Sequence, residues 1–202
     1  MNYWQLEDGN MKIGVLALQG AFSEHISVLR RLKVDSLPVR LPRQLVGLDG
    51  LIIPGGESTT ITRLMKSYNM MSEIRKLVEN GLPILGTCAG MILLAREISD
   101  NKAEPLGLMN ISVRRNAFGR QRESFEAELS MPVLGDKPFP AIFIRAPLIE
   151  QTGDGVETIA SLDDGRIVAV RQDKLLACAF HPELTRDSRF HQYFLNIISG
   201  EQ

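Results

Sequence analysis

Apolar residues along this chain fall in short blocks that alternate with helix-spaced segments. Lys12 to Leu18 reads as a strand ending at Gln19-Gly20, and Glu24 to Leu32 then sets Ile26, Leu29 and Leu32 on one helical face. Leu48 to Ile53 is a second apolar block, stopped abruptly by Pro54-Gly55-Gly56. Ser58-Thr59-Thr60 offers hydroxyls that cap the following helix, whose apolar positions include Ile61, Leu64 and Met65. The spacing predicts a further helix over Met71 to Asn80, a buried strand at Pro83-Ile84-Leu85 and a helix from Ala89 to Ile98. Alternation of this kind builds a parallel sheet covered by helices.

The second half changes character. Gly107 to Arg114, Ser124 to Leu129, Ala141 to Arg145, Ile167 to Val170 and Leu175 to Phe180 read as strands of a more antiparallel kind, before a last helix from Ser188 to Ile198. Met131 to Pro140, rich in proline and glycine, reads as a surface loop rather than a boundary. The expected architecture is therefore three-layer α/β: a mostly parallel central sheet with helices on both faces and some antiparallel strands in the second half. One domain from 11 to 200 is expected, with 1–10 as an N-terminal extension outside the periodic pattern.

Composition narrows the function classes. A chain of 202 residues, 44% of them hydrophobic, can bury a substantial core. Its net charge of -1 gives no general drive toward nucleic acid or anionic membrane. No apolar run approaches the length of a membrane span, and Met1 to Asn10 lacks the basic region and apolar core of a secretory signal. Two cysteines, Cys88 and Cys178, make no disulfide framework, and the cytoplasm is the expected compartment.

Candidate chemistry centres on Gly86-Thr87-Cys88-Ala89-Gly90, which has the form of a nucleophile elbow between a strand and a helix. A cysteine there sits at a helix N-terminus, which favours thiolate. His181-Pro182-Glu183 offers a base and a carboxylate to orient it, and proline biases His181 away from helix. Gln19-Gly20, Gly55-Gly56-Glu57, Cys88 and His181 all follow strands, so a common rim at the strands' carboxyl ends is expected to gather them. Acyl transfer from an amide then has a nucleophile in Cys88, a proton shuttle in His181 and its orienting group in Glu183. The expected oxyanion donors are the N–H of Ala89 and one from the Gly55-Gly56 turn.

Other residues have blander readings. Cys178 lies in a segment apolar on both faces and is read as core. His25 and His191 lack metal-ligand spacing and are read as surface or satisfied core residues; no metal site is expected. Arg114, Arg115, Arg120 and Arg122 form either a solvated face or a grip for a substrate carboxylate. Gly55-Gly56-Glu57-Ser58 lacks the Gly-Lys-Ser/Thr ending of a phosphate loop.

The cysteine elbow with His-x-Glu resembles the class I glutamine amidotransferases. Within them, six blocks in order resemble the glutaminase subunits of pyridoxal 5′-phosphate synthase: Gly14 to Gly20, Pro54 to Thr60, Gly86 to Gly90, Arg115 to Gln121, Phe143 to Pro147 and Phe180 to Thr185. The likeness runs from about Met11 to Ser199. It implies hydrolysis of L-glutamine to glutamate, with ammonia passed to a separate (β/α)8-barrel synthase subunit that combines it with ribose 5-phosphate and glyceraldehyde 3-phosphate. The coenzyme is then a product, and no cofactor of this chain is implied. By the same resemblance Gly56, Glu57, Ser58, Arg115, Ile144 and Arg145 contact glutamine, and the isolated subunit is poorly active until the synthase docks. Two alternatives stand beside this: a glutaminase that feeds another acceptor, and a non-catalytic assembly subunit that keeps the fold for docking.

Overall fold

β1 (Lys12–Leu16) pairs in parallel with β2 (Asp35–Val39), with α1 (Phe22–Arg31) between them in the chain. On the other side of β1 lies β3 (Gly50–Ile53), and α2 (Ser58–Ser67) and α3 (Met70–Glu79) lead from it to β4 (Ile84–Thr87), its outer neighbour. These crossovers run in opposite directions along the sheet. Because such crossovers are right-handed, α1 covers one face and α2 and α3 the other. The reversal falls between β1 and β3, and a crevice opens there beyond the strands' carboxyl ends. The computed structural model describes residues 11–100, 102–115, 117 and 124–201; the extension 1–10 and Phe118 to Arg122 lie outside the described residues.

The sheet continues past β4 with β12 (Leu175–Cys178), β11 (Ile167–Gln172) and β10 (Glu157–Ser161), in the order β10-β11-β12-β4-β3-β1-β2. β12 runs parallel to β4, and β11 runs against both of its neighbours. β3, β4 and β12 are buried at every position, as strands covered on both faces must be. Two smaller sheets join β5 (Ala95–Ile98), β6 (Met109–Arg114) and β9 (Leu148–Thr152), and β7 (Ser124–Leu129) with β8 (Phe139–Ile144). The chain closes with α5 (Arg189–Ser199), whose Phe190 packs with Phe139 and Phe180, and Phe180 in turn with Phe143, in a buried aromatic cluster.

Several expectations need correction. The helix expected from Ala89 to Ile98 is α4 (Ala89–Leu94) only; Ala95 to Ile98 form β5. Arg96 and Glu97 face solvent there while Ala95 and Ile98 stay buried, and pairing with β6 satisfies the backbone that the helix would have served. The antiparallel strands expected in the second half are present, in β6–β9, β7–β8, β10–β11 and β11–β12, beside the parallel pairs β5–β6 and β12–β4. β2 escaped the sequence pattern because it is a half-buried edge strand, where Pro38 needs no ladder donor. β9 and β10 were also unforeseen; each has mostly exposed positions and no clear apolar run.

Candidate active site

Cys88 occupies the one-residue turn between β4 and α4, with φ 48° and ψ -102°. A positive φ on a residue with a side chain costs on the order of 1–3 kcal/mol, so the surroundings must impose it. They do so by close packing of backbone. A Cβ at Gly90 would lie 1.9 Å from Ile53 O, and one at Gly86 would lie 2.7 Å from Gly90 O. The Cys88 N–H donates to Cys178 O at 2.8 Å, which ties the elbow to β12.

That neighbouring strand delivers His181. Parallel pairing sets Cys178 opposite Thr87, so the residues just past both strands emerge at the same rim. The His181 N–H donates to Ile142 O (2.8 Å) on β8, and a 3-10 turn at Pro182–Leu184 folds Glu183 back beneath the ring. His181 Nδ1 then lies 2.7 Å from Glu183 Oε1. A side chain at Gly55 would meet His181 Cε1 at 2.4 Å and Cys88 Cβ at 3.3 Å, so only glycine fits between them. The Cys88 thiol is directed at Ile144 O, 3.9 Å away.

Burial works against a charged imidazole at His181, but the adjoining Cys88 and Glu183 outweigh it and raise its pKa to about 10. Glu183 is buried, which alone would favour its neutral form; His25 and His181 facing it hold it below the usual carboxylate range instead. An imidazolium between a sulfur and a carboxylate is suited to protonating a leaving group.

A cavity of about 270 Å³ opens onto Cys88 and His181, lined also by Gln19, Gly56, Glu57, Ser58, Ile92, Arg115, Ile144 and Arg145. All six residues expected to contact substrate therefore border it. Arg115 Nε donates to Asp100 Oδ2 at 2.8 Å and its Nη1 to Ser58 Oγ at 2.9 Å, with Glu57 Oε1 3.7 Å away. Glu57 caps α2, accepting the Thr60 N–H at 2.6 Å and the Thr59 hydroxyl; these bonds overcome its desolvation and lower its pKa to about 2. Arg114 points elsewhere, pairing with Glu150 at 3.2 Å, while Arg120 and Arg122 lie outside the described residues.

Two details refine the expected oxyanion donors. The Gly55 N–H donates to Thr87 Oγ1 at 3.1 Å, so of the expected donors that amide is already engaged. The Gly55 carbonyl accepts from Ala21 N–H at 3.0 Å. Gln19 was expected at this rim without a role, and Ile92 was not foreseen. Gln19 Oε1 accepts the Glu57 N–H at 2.7 Å and so braces the turn; its place directly after β1 was the available signal. Cys178 is fully buried, with its thiol directed at Phe180 O and its pKa pushed well up by burial. His25 and His191 are both core residues, not surface ones.

The profile of the SNO glutamine amidotransferase family matches residues 15–199. The chain belongs to that family. It is 60% identical to the pyridoxal 5′-phosphate synthase subunit PdxT of Herpetosiphon aurantiacus over 190 residues, covering 93% of this chain and 100% of the relative. The subunit of the same name from Moorella thermoacetica is 57% identical over 188 residues, with 93% and 100% coverage. A crystal structure described as a glutamine amidotransferase superposes with a TM-score of 0.88 at 51% identity, covering 93% of this chain and 98% of the other. A protein from Thermoplasma acidophilum described as a GMP synthase subunit, at 22% identity and TM-score 0.71 over 96% of each chain, shares the fold. No helix among the described residues of the amidotransferase is long and apolar enough to cross a membrane.

Proposed function

We propose that this chain hydrolyses L-glutamine through Cys88, His181 and Glu183 and passes the ammonia to a barrel-shaped synthase subunit that makes pyridoxal 5′-phosphate. One domain spanning 11–200 carries the activity, in the cytoplasm. The observation that carries the reading is the 2.7 Å contact of His181 Nδ1 with Glu183 at the rim that also holds the strained Cys88 elbow. The names of the relatives support the choice of acceptor.

The chemistry follows from the donors and acceptors of the cleft. The Cys88 sulfur attacks the side-chain amide carbon of glutamine, and a C–S bond forms as the carbonyl oxygen takes up negative charge. The amides of Ala89 and Gly56 stabilise that oxygen, each such donor being worth about 3 kcal/mol of barrier. The C–N bond then breaks, and the His181 proton goes to the departing ammonia. Water, giving its proton to His181, attacks the thioester and releases glutamate with the sulfur restored. Arg115 offers a cation to the substrate α-carboxylate and Glu57 an anion to its α-ammonium group, with Ser58, Ile144 and Arg145 completing the cleft. Docking of the synthase fixes the Gly55-Gly56 turn in its donor orientation, which makes the free chain the slower catalyst.

Cys88→Ala tests the reading. In the assembled complex it should abolish glutamate formation while leaving coenzyme synthesis from added ammonium salt intact. Equal glutamine turnover by wild type and variant would refute the assignment. Wild-type turnover measured with and without the barrel subunit tests the dependence on docking.

A further inference from the structure

Behind the proposed triad lies a set of buried polar groups that the chemistry above leaves unused. His25 on α1 and His191 on α5 are fully buried, and with His181 they account for all three histidines of the chain. His25 Nδ1 lies 2.9 Å from His191 Nε2. His25 Nε2 is hydrogen-bonded to Thr87 Oγ1 at 3.2 Å, and Glu183 Oε2 lies 3.3 Å from it, off the hydrogen-bond axis. Among the described residues, two buried side-chain atoms have no hydrogen-bond partner: Glu183 Oε2 and His191 Nδ1.

Those two atoms decide where the protons sit. Were His25 protonated on Nδ1, its Nε2 lone pair would face a carboxylate oxygen at 3.3 Å. His191 would then carry its proton on the partnerless Nδ1, a stranded donor, and buried unpaired N–H groups are rarer than unpaired acceptors. With the proton on Nε2 of both rings, no N–H is stranded. His191 Nε2–H donates to His25 Nδ1, and His25 Nε2–H donates to Thr87 Oγ1 with its positive end beside Glu183 Oε2. A charged ring is opposed at both sites: burial lowers the pKa of His25, which faces Glu183, His181 and Glu24, and that of His191, which faces His25 and Arg31.

We infer that His25, held in its Nε2–H form by His191, is a positioning residue that orients Glu183 and, through Thr87, the Gly55 turn. The inference rests on the catalytic reading of Cys88, His181 and Glu183. A buried carboxylate bonded through one oxygen alone is free to rotate or take up a proton. An N–H dipole against its second oxygen keeps it ionised and keeps Oε1 aimed at His181. The oxygen of Thr87 that faces His25 also accepts the Gly55 N–H at 3.1 Å. One ring thus sets both the proton shuttle and the turn beside the oxyanion donors.

Long-range 1H–15N spectra of the full chain labelled in histidine test this directly, because only three rings contribute. At pH 7 two rings should be neutral and protonated on Nε2 alone, assigned to His25 and His191 by their loss in His25→Asn and His191→Phe. A proton on Nδ1 of His25, or a charged ring there, overturns the inference, and this readout needs no activity. In the complex with the synthase, His25→Gln, whose amide reaches the Nε2 position, should keep kcat within about threefold; His25→Asn, whose amide ends near Nδ1, should lower kcat about tenfold at nearly unchanged KM. His25→Asn should also move the alkaline limb of kcat/KM to lower pH. Wild-type kcat in His25→Asn overturns the positioning role alone. Full activity in Cys88→Ala instead overturns the catalytic reading, and the positioning role with it.

Discussion

Cys88 and Arg115 border one cleft, yet they are held there by different means. The Cys88 elbow is enclosed by backbone: Gly86 and Gly90 allow contacts no side chain would permit, and amide hydrogen bonds tie it to β12. Arg115 is held by side chains, through Asp100 and Ser58 with Glu57 nearby. A close-packed backbone has no room to adjust, which suits a nucleophile that must keep one geometry. Charge-assisted side-chain contacts can exchange partners when a charged substrate enters. On the proposed function, the contrast separates a wall suited to chemistry from one suited to recognition.

The largest effect should come from breaking the backbone wall. Gly90→Ala drives a methyl group into Ile53 O and should cost about 3 kcal/mol of stability as well as most of the activity. Thermal unfolding together with turnover checks this, and an unchanged melting point would show that the elbow is more pliable than its contacts indicate.

Glu183→Gln comes next. It keeps the nucleophile but loses the charge that orients His181, so kcat should fall by about a hundredfold, less than in Cys88→Ala. The pH profile sharpens the point. Because the pKa of His181 is raised to about 10, the imidazolium persists until pH rises through that value, and the alkaline limb of wild-type kcat/KM should lie there rather than near 6.5. Without the Glu183 carboxylate the limb should move to lower pH.

Arg115→Ala probes the recognition wall and should raise KM about tenfold, equivalent to about 1.4 kcal/mol, while kcat stays close to wild type. A fall in kcat with KM unchanged would merge the two walls into one. Cys178→Ser should do least. The residue is buried behind the elbow with its thiol on Phe180 O, a contact a hydroxyl also makes, so turnover should stay within about twofold.

Much of this was legible in the residues themselves. The strand–helix alternation of the first half, the stop at Pro54-Gly55-Gly56 and the elbow around Cys88 are local signals, because turn chemistry and apolar runs act over a few residues. The cleft-lining Glu57, Ser58 and Arg115 came from whole motif blocks. The helix expected through Ile98 failed because Ala95 to Ile98 take their hydrogen bonds from β6, a partner remote in sequence. β10 and β2 were missed since edge strands carry a weak hydrophobic pattern.

The chain's own order of residues determined which groups of the proposed chemistry are present and which strand ends carry them, since nucleophile, base and carboxylate types are properties of side chains and turns. It did not determine that β12 lies beside β4, that Glu183 has a second, unpaired oxygen, or that His25 and His191 meet behind it. Those facts depend on pairings between segments far apart along the backbone. Only packing against the finished sheet decides which buried polar atoms find partners and which are left for another ring to steady.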